Sequence, residues 1–436
     1  MTRPLEYIRY DKDLTTHPLA IYNTLTWQEK TVSILVSMLF VLQPFEAFDQ
    51  RVAVFALAFV GVLILIIHKK DCRIGFKQCA VCIGLLCIPG VLSIFNTHDI
   101  EETTKFILGV PVLYLAGVSI YSLLSNVRAK NIVVFIIVCT SIFWLLDSCL
   151  QYFSGHDVFG IPLVISKLGS IEKIKVTGPF NGSAHMGTLL TVTLPVVLVW
   201  LSRYGKAVIL IYITLLAFII MLTGKRTEWI TLLLALSLFF LWDRRLWKLA
   251  LFLVIPSLLI SSVIAINTSP YMQKRFNQFI SIPSDHDGWN SKLSGRINLY
   301  ETGLNMGSKN PITGVGAKAY ESAYQEYRLS GYRFRTKKTW TLHAHHPWIT
   351  VFAETGSVGI LFLVGLIVFM FTLTIRSIRG LDLRRYPWFI SFLLILNPIN
   401  SMPPLFKTWW IPIVLLVIIA HITDVEQENK KISFMD

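Results

Sequence analysis

His343–Ile375 reads HAHHPWITVFAETGSVGILFLVGLIVFMFTLTI, a histidine cluster running straight into an apolar segment that carries Gly356-Ser357-Val358-Gly359. The apolar part exceeds the roughly 20 residues that cross the hydrocarbon layer as a helix. The histidines therefore stand where water meets the bilayer. Polar groups are costly at that depth, so the cluster suggests chemistry rather than scaffolding.

The rest of the chain is of the same kind. Its 436 residues are 54% hydrophobic and only 15% charged, with mean hydropathy +0.59. A soluble domain of this length carries far more charge, so the expected class is an all-α polytopic membrane protein. Apolar runs near 31–48, 51–68, 75–95, 104–124, 131–153, 186–202, 206–223, 227–242, 247–267, 347–375, 386–402 and 405–421 predict about twelve transmembrane helices. The expected division is a polar N-terminal segment (1–30), nine helices (31–267), a large loop (268–346), three helices (347–421) and a tail (422–436). The polar start lacks a cleavable signal pattern, so the first span is expected to direct insertion.

Short loops with Lys69, Lys70 and Arg73, with Arg128 and Lys130, with Arg203 and Lys206, with Arg244, Arg245 and Lys248, and with Arg376, Arg379, Arg384 and Arg385 fall on one side. The positive-inside rule makes that side, with both termini, cytoplasmic and places the large loop outside. The net charge of +14 follows from this topology. It calls for membrane lipids as neighbours and for no nucleic acid. Of the cysteines, Cys72, Cys79, Cys82, Cys87, Cys139 and Cys149, none lies in the large loop, so no disulfide framework is expected there. Cys79 and Cys82 read as core packing.

Inside the large loop, residues 296–307 read as a helix, broken by Asn310-Pro311 and by Gly314 and Gly316. Residues 318–329 read as a second helix with Tyr320, Tyr324 and Tyr327 on one face. That stripe suits packing against the membrane domain or headgroups, or else a sugar-stacking platform. A second external loop covers roughly residues 154–185.

Several cations sit where the topology rule does not require them. Lys225 and Arg226 occupy a tight external turn, Thr223-Gly224-Lys225-Arg226, and Arg296 opens the first loop helix. A hairpin turn needs no arginine, and a guanidinium fork suits phosphate. The Arg333–Lys338 cluster reads more simply as contact with anionic headgroups. His343, His345 and His346 offer groups that titrate near neutrality, suited to general-base work. A metal site is the rival use of the histidines, but carboxylates at tight spacing are missing beside them, and no cofactor is expected. Together these groups suit transfer of a sugar from a lipid pyrophosphate. Its leaving group is already a stable anion and needs positive charge, while the attacking hydroxyl benefits from a base.

Three stretches resemble the bacterial O-antigen ligase and O-antigen polymerase superfamily. Thr223-Gly224-Lys225-Arg226 is similar to its Gly-x-Arg turn. Arg296 followed by Asn310-Pro311-Ile312-Thr313-Gly314-Val315-Gly316 is similar to its Arg, helix and Pro-x-x-Gly-x-Gly turn. His343-Ala344-His345-His346 with Gly356-x-x-Gly359 resembles the ligase pattern, with His346 where Asn is usual. Thr177-Gly178-Pro179-Phe180-Asn181-Gly182 looks like a weaker element. The resemblance spans roughly residues 175–360.

It implies a metal-independent, inverting membrane glycosyltransferase of GT-C-like architecture in the bacterial inner membrane, with its site facing the periplasm. Such a ligase moves O-antigen from undecaprenyl pyrophosphate to lipid A-core. Carried over, Arg226 and Arg296 would bind the pyrophosphate and His345 would activate or position the acceptor hydroxyl, with Lys225 and His343 added by proximity. An O-antigen polymerase or protein O-oligosaccharyltransferase would use the same donor. A secondary transporter would show internal repeats and polar breaks in several spans, for which Asp147 and Asn397-Pro398-Ile399-Asn400 are the only hints.

Overall fold

Helix boundaries follow the capping residues. The computed structural model describes residues 18–45, 50–67, 73–168, 171–181, 185–240, 255–268, 273–274, 276–277, 280–293, 295–329, 342–377, 386–399 and 402–433. After a short α1 (Pro18–Thr24), Thr26 and Glu29 form a reciprocal capping box that opens α2 (Trp27–Val41). α3 (Gln50–Ile67) and α4 (Arg73–Leu92) follow. The Asp99 carboxylate accepts the Glu102 N–H to open α5 (Ile100–Leu124), and Asn126 caps α6 (Val127–Ser154).

The chain is predominantly helical, as the all-α expectation has it, and beyond α6 a short hairpin interrupts the helices. β1 (Val164–Leu168) and β2 (Ile171–Lys175) pair antiparallel, Val164 opposite Lys175 and Leu168 opposite Ile171. The β-branched Val164, Ile165, Ile171 and Ile174 favour extended backbone. A search for long apolar runs passes over so short a pattern. Asp147, expected to line the site entrance or cap a helix, is buried and accepts the Val158 N–H at 2.8 Å. It holds the turn between α6 and the hairpin.

α7 (Met186–Leu201), α8 (Lys206–Leu222), α9 (Arg226–Phe240) and α10 (Ile255–Thr268) come next. Every residue of α7 is buried. An all-round apolar surface of this kind marks a central helix, so His185, its N-cap residue, is held in the interior of the bundle.

The large loop contains α11 (His286–Lys292), α12 (Arg296–Lys309) and α13 (Tyr320–Tyr327), the last two where the sequence places them. Tyr320, Tyr324 and Tyr327 do share a face. They are buried with Leu299, Met306 and Val315, and with Ala353 of α14 (Pro347–Ser377). The stripe is thus the loop's own core, sealed onto a membrane helix, and Tyr320 and Tyr324, each 1% exposed, present no face to a sugar. The Arg333–Lys338 cluster lies outside the described residues.

The C-terminal part differs most from expectation. The eleventh span is a helix of only nine residues, α15 (Pro387–Ile395). It is about 14 Å long at 1.5 Å per residue, less than half the roughly 30 Å hydrocarbon core. The Asn397 side chain accepts the Ile399 N–H at 3.0 Å, a turn that competes with continued helix. Irregular backbone then leads to α16, which starts at Ile411 rather than near 405 and runs through the expected tail to Ser433. Met402–Phe406 and Trp410 are buried. Non-helical backbone is tolerated at membrane depth only where protein surrounds it.

Among the described residues, six helices are long and apolar enough to cross a membrane: Gln50–Ile67, Phe76–Asn96, Ile100–Leu124, Val127–Ser154, Met186–Tyr204 and Pro347–Ser377. The chain is a multi-pass membrane protein. Its packing includes one buried ionic tie, in which Lys130 of α6 donates to Asp424, Thr423 and the Ala420 carbonyl of α16. Cys79 and Cys82 are buried, with Cys82 Sγ 4.0 Å from Met370 Sδ, and serve packing.

Candidate active site

The turn between α8 and α9 is built around a buried carboxylate. Glu228, 1% exposed, takes the Lys225 ammonium at 3.2 Å and the hydroxyls of Thr188 (3.2 Å) and Thr223 (3.0 Å). Gly187 leaves the room that this carboxylate fills, since a Cβ there would overlap it. The first turns of α7 and α9 are thereby locked together, and Lys225 is fixed beside them. Arg226 opens α9 and donates through Nη2 to the carbonyl of Lys292, the last residue of α11.

Arg296 opens α12 behind Gly295, whose φ of 81° turns the chain into the helix. Its guanidinium is hydrogen-bonded to the Tyr300 hydroxyl. A cation in the first turn of a helix sits at the wrong end of the dipole for helix stability. Arg226 and Arg296 both occupy that position, so neither is explained by the helix it begins.

The histidine loop leads into α14. The rings of His343 and His345 lie 3.8 Å apart between centroids. His345 holds φ +52°, left-handed backbone that a residue with a Cβ adopts only under strain. Burial, followed by the charges of His343, Arg296, Lys225 and His185, drives its pKa far below the ordinary value, to about 2. At neutral pH its imidazole is uncharged, and so low a pKa makes it a weak base unless a bound anion offsets the surrounding cations.

His346 does different work. It is the N-cap of α14, ahead of Pro347 at the first helical position. Its Nδ1 accepts the Ile349 N–H at 3.3 Å, and its carbonyl accepts the Thr350 N–H at 2.9 Å. The ring also bonds the Pro398 carbonyl and meets Tyr300 edge-on at 5.5 Å. Asn is a strong N-cap residue. His346 serves this helix as a cap in the way an Asn would.

The two glycine motifs interlock to hold these parts in place. Gly356 breaks α14 with φ 63°, ψ −158°. The exposed backbone groups are taken up by the turn after α12. Val315 and Gly316 N–H donate to the Ala353 and Glu354 carbonyls (2.9 and 3.0 Å), while Ser357 and Val358 N–H donate to the Pro311 and Ile312 carbonyls (2.8 and 3.2 Å). This clamp sets the start of α12, with Arg296, relative to the start of α14, with His345.

The structure brings Lys225, Arg296, His343 and His345 into one electrostatic cluster, with Arg226 anchored at the α11–α12 junction. Four helix N-termini, those of α7, α9, α12 and α14, contribute to it. Their partial positive charges add to those of the side chains, an arrangement suited to an anion. Sequence reading missed three members. His185 is pushed down to about pKa 3 by burial and then by Lys225, His343, Lys175 and Lys407, and its ring lies 4.1 Å from that of Trp409. The signal for His185 was its place just past the Thr177–Gly182 element. Lys407 and Trp409 were hidden inside an expected span.

No curated protein matches the chain. Residues 210–364, about a third of its length, match the family model described as O-antigen ligase. Lys225, Arg226, Arg296, His343 and His345 lie within that stretch, and His185, Lys407 and Trp409 lie outside it. The match supports membership of the O-antigen ligase superfamily.

Proposed function

We propose that the protein is an O-antigen ligase, a membrane glycosyltransferase that moves O-antigen from undecaprenyl pyrophosphate to lipid A-core on the periplasmic face of the inner membrane. In this reading the chain crosses the membrane about twelve times in a GT-C-like arrangement, α15 and the irregular segment after it forming one shortened crossing. The observation that carries the reading is the convergence of four helix N-termini and the cations of Lys225 and Arg296 on the uncharged imidazole of His345.

Arg226, Arg296 and Lys225 hold the pyrophosphate. The acceptor hydroxyl attacks the anomeric carbon from the face opposite the phosphate, so the configuration inverts. The new C–O bond forms as the C–O bond to phosphate breaks. The hydroxyl proton passes to the His345 lone pair, with His343 packed behind it, and the pyrophosphate leaves with the bonding electrons into the cation cluster. Stabilising charge that develops on a leaving group is commonly the largest catalytic contribution. Proton transfer to a positioned base adds about 10²–10⁴-fold when its pKa lies near the working pH, so the bound pyrophosphate must offset the cations that hold His345 low.

Expression in a strain that lacks its ligase, with matched donor and acceptor, tests the reading. A restored high-molecular-weight lipopolysaccharide ladder supports it; no ladder removes it. Restoration in a polymerase-deficient strain instead assigns the acceptor to a second lipid-linked glycan.

A further inference from the structure

The sugar joined to the pyrophosphate has a restricted place in this centre. Its anomeric carbon is bonded to the phosphate that the cations hold, and it must lie about 3–3.5 Å from an acceptor oxygen within reach of His345. The ring therefore lies beside the groups that border both the cations and the histidine pair. His185 is such a group, since it interacts electrostatically with Lys225, His343 and His345.

The aromatic residue against His185 is Trp409. Its neighbour Trp410 is fully buried, whereas Trp409 is half-buried and retains accessible surface. A tryptophan that merely anchored the chain at the membrane surface would sit among headgroups. Trp409 instead packs on the N-cap side chain of the central helix α7. It also stands two residues from Lys407, which interacts electrostatically with His185. Among the described residues, other aromatic groups near the centre are committed. Tyr300 is bonded to Arg296 and set against His346, and the tyrosines of α13 are sealed in the loop core.

We propose that Trp409, backed by His185, is the platform on which the first sugar ring of the donor stacks, and that it selects which glycan is transferred. The proposal rests on the donor reading above. The C–H face of a pyranose packs on the indole face that His185 leaves open, while its hydroxyls remain free to bond Lys407. Because Trp409 lies outside the matched segment 210–364, phosphate capture and sugar selection reside on different parts of the chain.

The test uses the full-length protein in lipid nanodiscs and compares binding of undecaprenyl pyrophosphate with and without its glycan. The wild type should bind the glycosylated form more tightly, by up to about tenfold for one aromatic contact. Trp409→Leu should lose that increment and still bind the bare lipid pyrophosphate, which also reports that it is folded. Trp409→Phe should keep most of it. A Trp409→Leu protein that retains the increment, or a Phe variant that loses it as fully as Leu, overturns the platform while leaving the donor reading intact. A wild type that binds neither lipid overturns both.

Discussion

Gly314 and Gly356 face each other across the contact between the turn after α12 and the break in α14, with φ of 65° and 63°. A Cβ on Gly314 would overlap the backbone of Ala353–Thr355, and one on Gly356 would overlap that of Ile312 and Thr313. Each glycine makes room for the strand that carries the other. The two family motifs are thus one structural device, which fixes the distance from Arg296 to His345.

Substitution of either glycine by alanine adds left-handed strain to overlap in a packed contact. We expect a loss of about 2–5 kcal/mol, read as a lower midpoint of thermal unfolding in detergent. Gly155→Ala is the control. Its φ is also positive, at 86°, but nothing lies within 4 Å of the added carbon, so only the strain of about 1–2 kcal/mol applies. Equal losses at all three positions would refute the interlock.

The adjacent histidines should separate cleanly. His345→Ala is expected to lower transfer by about 10²-fold or more, scored as loss of the lipopolysaccharide ladder. His346→Asn preserves the cap and should retain the ladder. His346→Ala should cost about 1 kcal/mol of stability through the lost cap. A silent His345→Ala would remove that residue from the chemistry.

Acid should destabilise the protein through this site. Burial and surrounding cations hold His345 at about 2 and His185 at about 3, whereas each titrates near 6.5 in an unfolded chain. Between those values the unfolded chain binds more protons. Stability is therefore full above pH 6.5 and falls as pH drops through the window. From pH 6.5 to 5 one such group contributes no more than about 2 kcal/mol. Unfolding midpoints between pH 7.5 and 5 should fall less steeply in His345→Gln than in the wild type; parallel curves would place the acid sensitivity elsewhere.

Arginine geometry matters for the phosphate role. Arg226→Lys and Arg296→Lys keep the charge but lose the planar fork, and each is expected to weaken pyrophosphate binding by roughly 10–100-fold. Calorimetry with inorganic pyrophosphate measures this directly. Affinities unchanged by both substitutions would argue against bidentate capture.

Transfer carried by these cations should persist in excess chelator with purified enzyme. Activity that disappears with chelator and returns with a divalent ion would redirect the histidines to metal binding.

Much of the architecture was legible in the chain. Long apolar runs mark α5, α6, α7 and α14 because the bilayer demands about 20 such residues in sequence. Arg226 and Arg296 stood out because charged groups there lack a reason in topology, and His345 through the resemblance of its spacing to Gly356. The hairpin was not legible, since its two five-residue strands carry no regular alternation and are short beside those runs. Nor was the shortening of α15, because Asn397 and Pro398 interrupt a stretch whose composition still reads as apolar.

Sequence by itself determined the membrane class, the positions of most helices and the candidates Lys225, Arg226, Arg296, His343 and His345, all properties of local composition and spacing. Tertiary structure decided which of them act together. Gly314 and Gly356 interlock across the fold, and Trp409, far along the chain, lies against His185. Those contacts depend on backbone groups finding partners across the fold, and no local pattern encodes which partner they find.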